Sequence, residues 1–127
     1  MRALASAMAE WLRERVHVAG ARGIVVGLSG GIDSAVVARV AQMACPDGVM
    51  TVIMPAHSDP QDAEDARLVA DAFSLPVMTV DLTEPFDAHV RRLNDAAPDV
   101  LIAPPTVLHR LAIARLDGAL RLVPPAL

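Results

Sequence analysis

The chain has 127 residues, of which 54% are apolar and 2% aromatic, and it carries a formal net charge of −4. That length bounds it to one domain at most, with enough chain for a core, and the apolar fraction excludes disorder. The acidic balance, the scarcity of aromatic side chains for stacking and the absence of a basic run beyond Arg91-Arg92 argue against a nucleic-acid partner. No uninterrupted apolar run reaches membrane-spanning length, so no membrane partner is expected. A single cysteine, Cys45, suits a reducing compartment and hence a cytoplasmic protein; it reads as a small buried residue near a helix end. All eleven basic residues are arginine.

The first stretch, residues 1–19, resembles a signal peptide only in its start. Glu10, Arg13, Glu14 and Arg15 interrupt any apolar region, while Leu4, Met8, Trp11, Leu12 and Val16 form a helical stripe, which predicts an amphipathic helix. Residues 24–28 then read as a buried strand, and residues 33–44 as a helix. Cys45-Pro46-Asp47-Gly48 is a turn, and residues 49–54 are a second strand ended by Pro55. Beyond a loop at 56–60, residues 60–73 read as a helix with Ala63, Ala66, Val69, Ala70 and Phe73 on one face. Pro60 suits its first turn, Asp59 its N-cap, and Asp62 the positive end of its dipole. Residues 76–81 are a third strand, and a helix follows from Thr83 to about residue 93 with Phe86, Val90 and Leu93 inward. The double proline of APDVLIAPPT favours a loop there over a fourth strand, although VLI alone fits a strand. Residues 105–121 read as a last helix bearing Leu108, Leu111, Ala112, Arg115 and Leu116, before an LVPPAL tail.

Alternating strands and helices with near-continuous apolar strands predict an α/β fold with a parallel sheet covered on both faces. Right-handed crossovers give the spatial order 3-2-1, a parallel three-stranded part of a doubly wound, Rossmann-like sheet, read here as a single partial domain over residues 1–127. In such a sheet the first strand is central. An open apolar edge at residues 24–28 therefore predicts self-association, as a homodimer or with a partner chain.

The link between the first strand and the next helix, Gly27-Leu28-Ser29-Gly30-Gly31-Ile32-Asp33-Ser34, carries the chemistry. It lacks the lysine of a Walker A loop and the G-x-G-x-x-G spacing of a dinucleotide fingerprint. Gly27 to Gly31 does match the G-x-S-x-G nucleophile elbow of hydrolases, with Asp81 and His109 following in the right order. The elbow, however, normally follows an earlier strand that supplies an oxyanion loop, and here it ends the first one. What remains is S-G-G-x-D-S between a strand and a helix N-terminus, where unpaired N–H groups and the helix dipole favour anions. Glycines admit a pyrophosphate close to the backbone, and serines add hydroxyl donors. Asp33 would repel polyphosphate unless a hard cation such as Mg²⁺ accepts both. A plain Gly-Gly turn with Asp33 and Ser34 as helix-cap residues is the simpler alternative. His17, His89 and His109 are scattered, without partners at ligand spacing, and predict no zinc site, and His57 by itself reads as a plain loop histidine.

VVGLSGGIDSAVVARV resembles the pyrophosphate loop of the N-type ATP pyrophosphatases, and within them most closely that of the ammonia-dependent NAD synthetases. Ser29 to Ser34 alone is shared with relatives such as GMP synthetase. TVIMPAHSDPQDAEDARLVADAF and VMTVDLTEPFDAHVRRL extend the resemblance over about residues 1–96. The resemblance implies that Ser29, Gly30, Gly31, Asp33 and Ser34 hold the ATP phosphates, with Asp33 a Mg²⁺ ligand. It places Gly27 and Leu28 near the adenosine, and Met54, with the His57–Ser58 loop, on the adenine side. The implied reaction is a ligase step of NAD biosynthesis: ATP and deamido-NAD form an adenylate and pyrophosphate, and ammonia then displaces AMP.

The family's later N-I-K-A-R, G-T-x-N-K-x-E and D-G-x-x-D segments are not matched. Leu111-Ala112-Ile113-Ala114-Arg115 stands where the first would fall, without its asparagine or lysine. A truncated or split form of the enzyme is the leading expectation. A non-catalytic nucleotide-binding remnant and another N-type ATP pyrophosphatase are the alternatives.

Overall fold

The computed structural model describes residues 2–98 and 105–121, in two compact units, Met1–Leu82 and Thr83–Leu127. The first unit contains α1 (Arg2–Val18), β1 (Ile24–Gly27), α2 (Ile32–Ala44), β2 (Val49–Ile53), α3 (Pro60–Ala72) and β3 (Val77–Thr79). The three strands form one parallel sheet in the order β1-β2-β3, the predicted order. Val26 pairs with Thr51, and Thr51 with Val77. Parallel hydrogen bonding runs on past the strand ends, from Leu28 N–H to Val52 O (2.9 Å) and from Val80 N–H to Ile53 O (2.9 Å). The predicted third strand is thus shortened to three paired residues but keeps its direction to Val80.

In-register positions share a face, so Val26, Leu28, Val49 and Ile53 all point to one side. There they meet Ala38 and Ala41 of α2 and Ala66 and Ala70 of α3, each of them fully buried, with Leu75 closing the cluster. Methyl-sized side chains let both helices lie close on the sheet. Thr51, also fully buried, satisfies its hydroxyl by donating to Pro76 O at 2.6 Å. The opposite face is more open, with Val25 71% and Met78 51% exposed. Among the described residues, β1 pairs only with β2, which leaves its other edge without a strand.

α1 forms as expected, with its packed face shifted from the predicted stripe toward Ala9 and Leu12. Ala9 is buried against Val40 and Ala44 of α2, with Leu12 half-buried beside them, whereas Leu4, Met8 and Trp11 stay exposed. The helix is seated by its small residue, which permits close approach, and the large residues are displaced to the flank. Together with Val36 and Val37 of α2, Met8 and Trp11 line a groove of about 390 Å³. Arg13 locks the pair by donating to the last carbonyls of α2, at 3.0 Å to Ala44 O and 2.9 Å to Met43 O. These are acceptors that a helix C-terminus leaves unsatisfied, at the negative end of its dipole. Arg13→Ala is expected to cost about 1 kcal/mol, seen as a lower urea midpoint at unchanged slope.

The turn that follows α2 is the predicted one. Cys45, half-buried, caps the helix through its N–H to Ala41 O (2.8 Å), and Gly48 N–H returns to Cys45 O (3.1 Å). Asp59 caps α3 as read from the sequence, its side chain accepting from Gln61 N–H at 2.9 Å.

The second unit contains α4 (Thr83–Ala96) and α5 (Pro105–Leu116). Val90 of α4 packs with Leu111, Ala114 and Leu120, with Phe86 and Leu93 beside it, the face predicted for α4. α5 ends five residues before the predicted boundary of 121. Ala119 and Leu120 N–H groups fold back onto Ala114 O, and Asn94 joins the turn through Ala119 O (2.8 Å) and Arg121 N–H (2.6 Å). That turn puts Leu120 inside in place of Leu116, which is 86% exposed, and Ala114 is buried in place of Ala112. The VLI segment and the LVPPAL tail lie outside the described residues. Among the described residues, no helix is long and apolar enough to cross a membrane.

Candidate functional site

The glycine-rich link leaves the sheet where the theory of parallel α/β folds puts ligands, beyond the carboxyl end of β1. Leu28 is buried and still bonded to β2, so the strand anchors the loop up to that residue. Ser29 is exposed, Gly30 turns at φ +79°, and Gly31 occupies the N-cap position of α2 in an extended conformation. Among the described residues no side chain caps that helix. Asp33 and Ser34 lie inside its first turn, so the helix-cap alternative does not describe them.

The two serines bond to each other and to the loop. Ser29 Oγ donates to Ser34 Oγ (3.2 Å), which also accepts Ser29 N–H (3.2 Å) and donates to Gly31 O (2.9 Å). Gly31 N–H reaches Ser29 Oγ at 3.4 Å. Gly30 rests on the backbone of α3. A Cβ built there would stand 2.9 Å from both Asp62 O and Asp65 Cβ. Gln61 holds Asp65 in turn, its Nε2 donating to Oδ1 at 2.8 Å. A Cβ on Gly27 would meet only the Met54 methyl, at 3.2 Å, so the tips of β1 and β2 are neighbours.

Ser29, Gly30, Gly31, Asp33 and Ser34 therefore follow one another along the loop and first turn, with Gly27 and Met54 beside them, whereas the Leu28 side chain is buried in the core and brings only its main chain to the site. His57 is exposed at φ 51°, and Ser58 Oγ accepts Ala56 N–H at 3.4 Å, which shapes that loop. The wall made by Asp62 and Asp65 has no signature of its own in the sequence. The acidic spacing in DPQDAEDA marks a helix, and nothing in it marks which backbone atoms lie under Gly30.

The donor chemistry suits Mg²⁺. Asp33 is exposed on the first turn of α2. It is a hard oxygen donor of the kind this ion takes one or two of, completing its shell with phosphate oxygens and water. Among the described residues no group of three or more acidic, histidine or cysteine side chains forms a metal cage.

A parallel sheet whose first strand runs through a glycine-rich loop into a helix N-terminus defines a Rossmann-like fold of the adenine-nucleotide-binding class. Residues 4–112 match the NAD synthase family, and the chain belongs to that family. An NH(3)-dependent NAD(+) synthetase of Carboxydothermus hydrogenoformans is 46% identical to it over 91 residues, which make up 72% of this chain and 37% of that one. The NH3-dependent NAD synthetase of Campylobacter jejuni superposes with a TM-score of 0.69 at 26% identity, covering 93% of this chain and 48% of that one. NMN synthetase of Francisella tularensis superposes with a TM-score of 0.72 at 26% identity, covering 91% and 46%. The chain spans less than half the length of each of these relatives.

Proposed function

We propose that this chain binds Mg²⁺–ATP on residues 27–34 and supplies the nucleotide site for the ATP-dependent amidation of deamido-NAD by ammonia. The observation that carries the reading is the loop itself, a rim of small residues between β1 and α2, backed by α3 and open at a helix N-terminus. Pyrophosphate, the leaving group of adenylate formation, carries negative charge that first-turn N–H groups stabilise as it develops. Ser29, Gly30, Gly31 and Ser34 shape that cradle, and Asp33 would hold the ion. Bound Mg²⁺ would supply charge neutralisation along the phosphate chain. Gly27, the Leu28 main chain and Met54 would border the adenosine, which would leave the α-phosphorus between them and the pyrophosphate cradle. There the nicotinate carboxylate attacks in line, and ammonia later displaces AMP. Ammonia as the nitrogen donor follows the NH3-dependent relatives.

The edge of β1 that no strand covers among the described residues, and the exposed Val25, support an assembly, as a homodimer or with a partner chain, in which another strand or helix covers them. One observation favours a second reading. The sequence contains no lysine, so the described sheet and loop offer no ammonium to steady an acyl-adenylate. A non-catalytic nucleotide-binding protein would keep the loop and lack turnover with every substrate and partner present.

Calorimetric titration with ATP, with and without Mg²⁺, tests the nucleotide site. Binding is expected to depend on Mg²⁺ and to weaken by at least about tenfold in Asp33→Asn, the lower end of what loss of a metal-site group costs. A folded chain that takes up no ATP in either condition would end the proposal.

A further inference from the structure

The end of β2 brings a thioether to the root of the glycine-rich link, and we propose that Met54 is a modification site. Hydroperoxides oxidise its sulfur to the sulfoxide, and the oxidised chain holds Mg²⁺–ATP less tightly. Resting on the nucleotide-binding reading, this adds a chemical control to the same site.

Successive residues of a strand alternate between faces. Ile53 ends β2 with its side chain buried in the core, so Met54 turns to the opposite face, where it is 49% exposed. Gly27 shares that face with the exposed Val25 and brings no side chain to it. The Met54 methyl therefore rests over bare backbone, 3.2 Å from the position a Cβ on Gly27 would take. Met8 and Met78 are as exposed as Met54, Met78 at 51%. Met8, however, belongs to α1, and Met78 pairs with Val52 from β3, two strands away from β1. Of these three, Met54 is the one at the root of the link.

The reaction needs only the sulfur and the oxidant. A sulfur lone pair attacks the terminal oxygen of the hydroperoxide, and the S–O bond forms as the O–O bond breaks. The proton of the attacked oxygen passes to the displaced one, which leaves as an alcohol, or as water from hydrogen peroxide. Sulfur loses two electrons and the peroxide gains them. A flexible apolar side chain thereby becomes a polar, chiral one. The thioether is polarizable and packs well against a ring, whereas the sulfoxide oxygen holds water where a purine would lie. Met54 stands outside the core clusters, so the fold does not depend on its oxidation state. Bound adenosine would cover the sulfur, which makes nucleotide and oxidant competitors for one face.

Treatment of the chain with hydrogen peroxide, with and without saturating Mg²⁺–ATP, tests this when read by peptide mass spectrometry and followed by calorimetric titration. Met54 and Met78 are expected to oxidise at similar rates in the free chain. Mg²⁺–ATP should slow Met54 at least about fivefold and leave Met78 within about twofold, since oxidation follows exposure. Treated wild type and treated Met78→Leu should each bind Mg²⁺–ATP about fivefold more weakly than before treatment, the scale of one lost sulfur–ring contact. In Met54→Leu, a volume-conserving change, treatment should leave affinity where it started. A Met54 that resists peroxide in the free chain, or oxidises equally with and without nucleotide, would overturn the proposal. So would an affinity unchanged by full oxidation of Met54, or an equal loss in Met54→Leu. An untreated chain that binds no Mg²⁺–ATP is a separate result, which removes the nucleotide reading and this proposal with it.

Discussion

Gly30→Ala is expected to lower affinity for Mg²⁺–ATP about a hundredfold while the chain stays folded. Two costs coincide at this position. Gly30 sits at φ +79°, a conformation that costs an alanine about 1–2 kcal/mol. The new methyl would also stand 2.9 Å from Asp62 O, a backbone atom fixed within α3, and 2.9 Å from Asp65 Cβ. Overpacking of that kind typically costs about 1–3 kcal/mol. The loop is the cheaper thing to move, because α3 is held by Ala66 and Ala70 in the core. The strain is therefore expected to be released by lifting the loop off α3, which disperses the donors that a phosphate chain needs together. About 3 kcal/mol of lost preorganisation corresponds to the hundredfold change. Calorimetry of the variant checks it, and an affinity within threefold of wild type would mean that the rim does not hold the nucleotide.

The largest effect on stability is expected from Gly23→Ala. A Cβ there would fall 2.2 Å from Gly48 O, with the Gly48 carbonyl carbon at 3.0 Å and Cα at 3.2 Å. All three are backbone atoms, so no side chain can turn aside. Gly48 O is also the acceptor of the Ile24 N–H at 2.7 Å, the bond that opens the pairing of β1 with β2. Relief of the clash must break that bond and part the two strands at their start. The expected loss is about 3 kcal/mol or more, a large share of the margin of a small domain. Urea unfolding measures it. Gly27→Ala is the matched control, because its neighbour is the free methyl end of Met54 at 3.2 Å. That thioether can swing away, and a loss below about 1 kcal/mol is expected. Equal losses at the two positions would show that backbone contact is not what sets the cost.

Local chemistry made much of this molecule readable in advance. Asp59 and Pro60 mark the start of α3 because a cap and a preset φ act within a few residues. The strand–loop–helix unit from Ile24 to Ala44 was equally clear, since its apolar run, paired glycines and helix formers follow one another. The face of α1 was not. A stripe drawn through Leu4, Met8, Trp11, Leu12 and Val16 includes Leu12, which does pack in the contact, but misses Ala9, the small residue that lets the two helices approach. The end of α5 depended on Asn94, a residue of another helix, which no periodicity within 105–121 encodes. At the site, residue types pointed to the rim from Gly27 to Ser34. The direction of each hydroxyl and the α3 backbone under Gly30 required coordinates, because both depend on contacts across elements.

The alanine centre of the sheet–helix contact has an evolutionary consequence. Most cores drift by trimming and refilling, a leucine shrinking here while a valine grows there. Ala38, Ala41, Ala66 and Ala70 have almost nothing to trim, and each larger side chain would push a helix off the strands. Sequence change in this unit is therefore channelled outward, to positions such as Trp11, Val36 and Val37, whose side chains face outward. Lineages carrying this fold should diverge on their flanks long before they diverge at its centre.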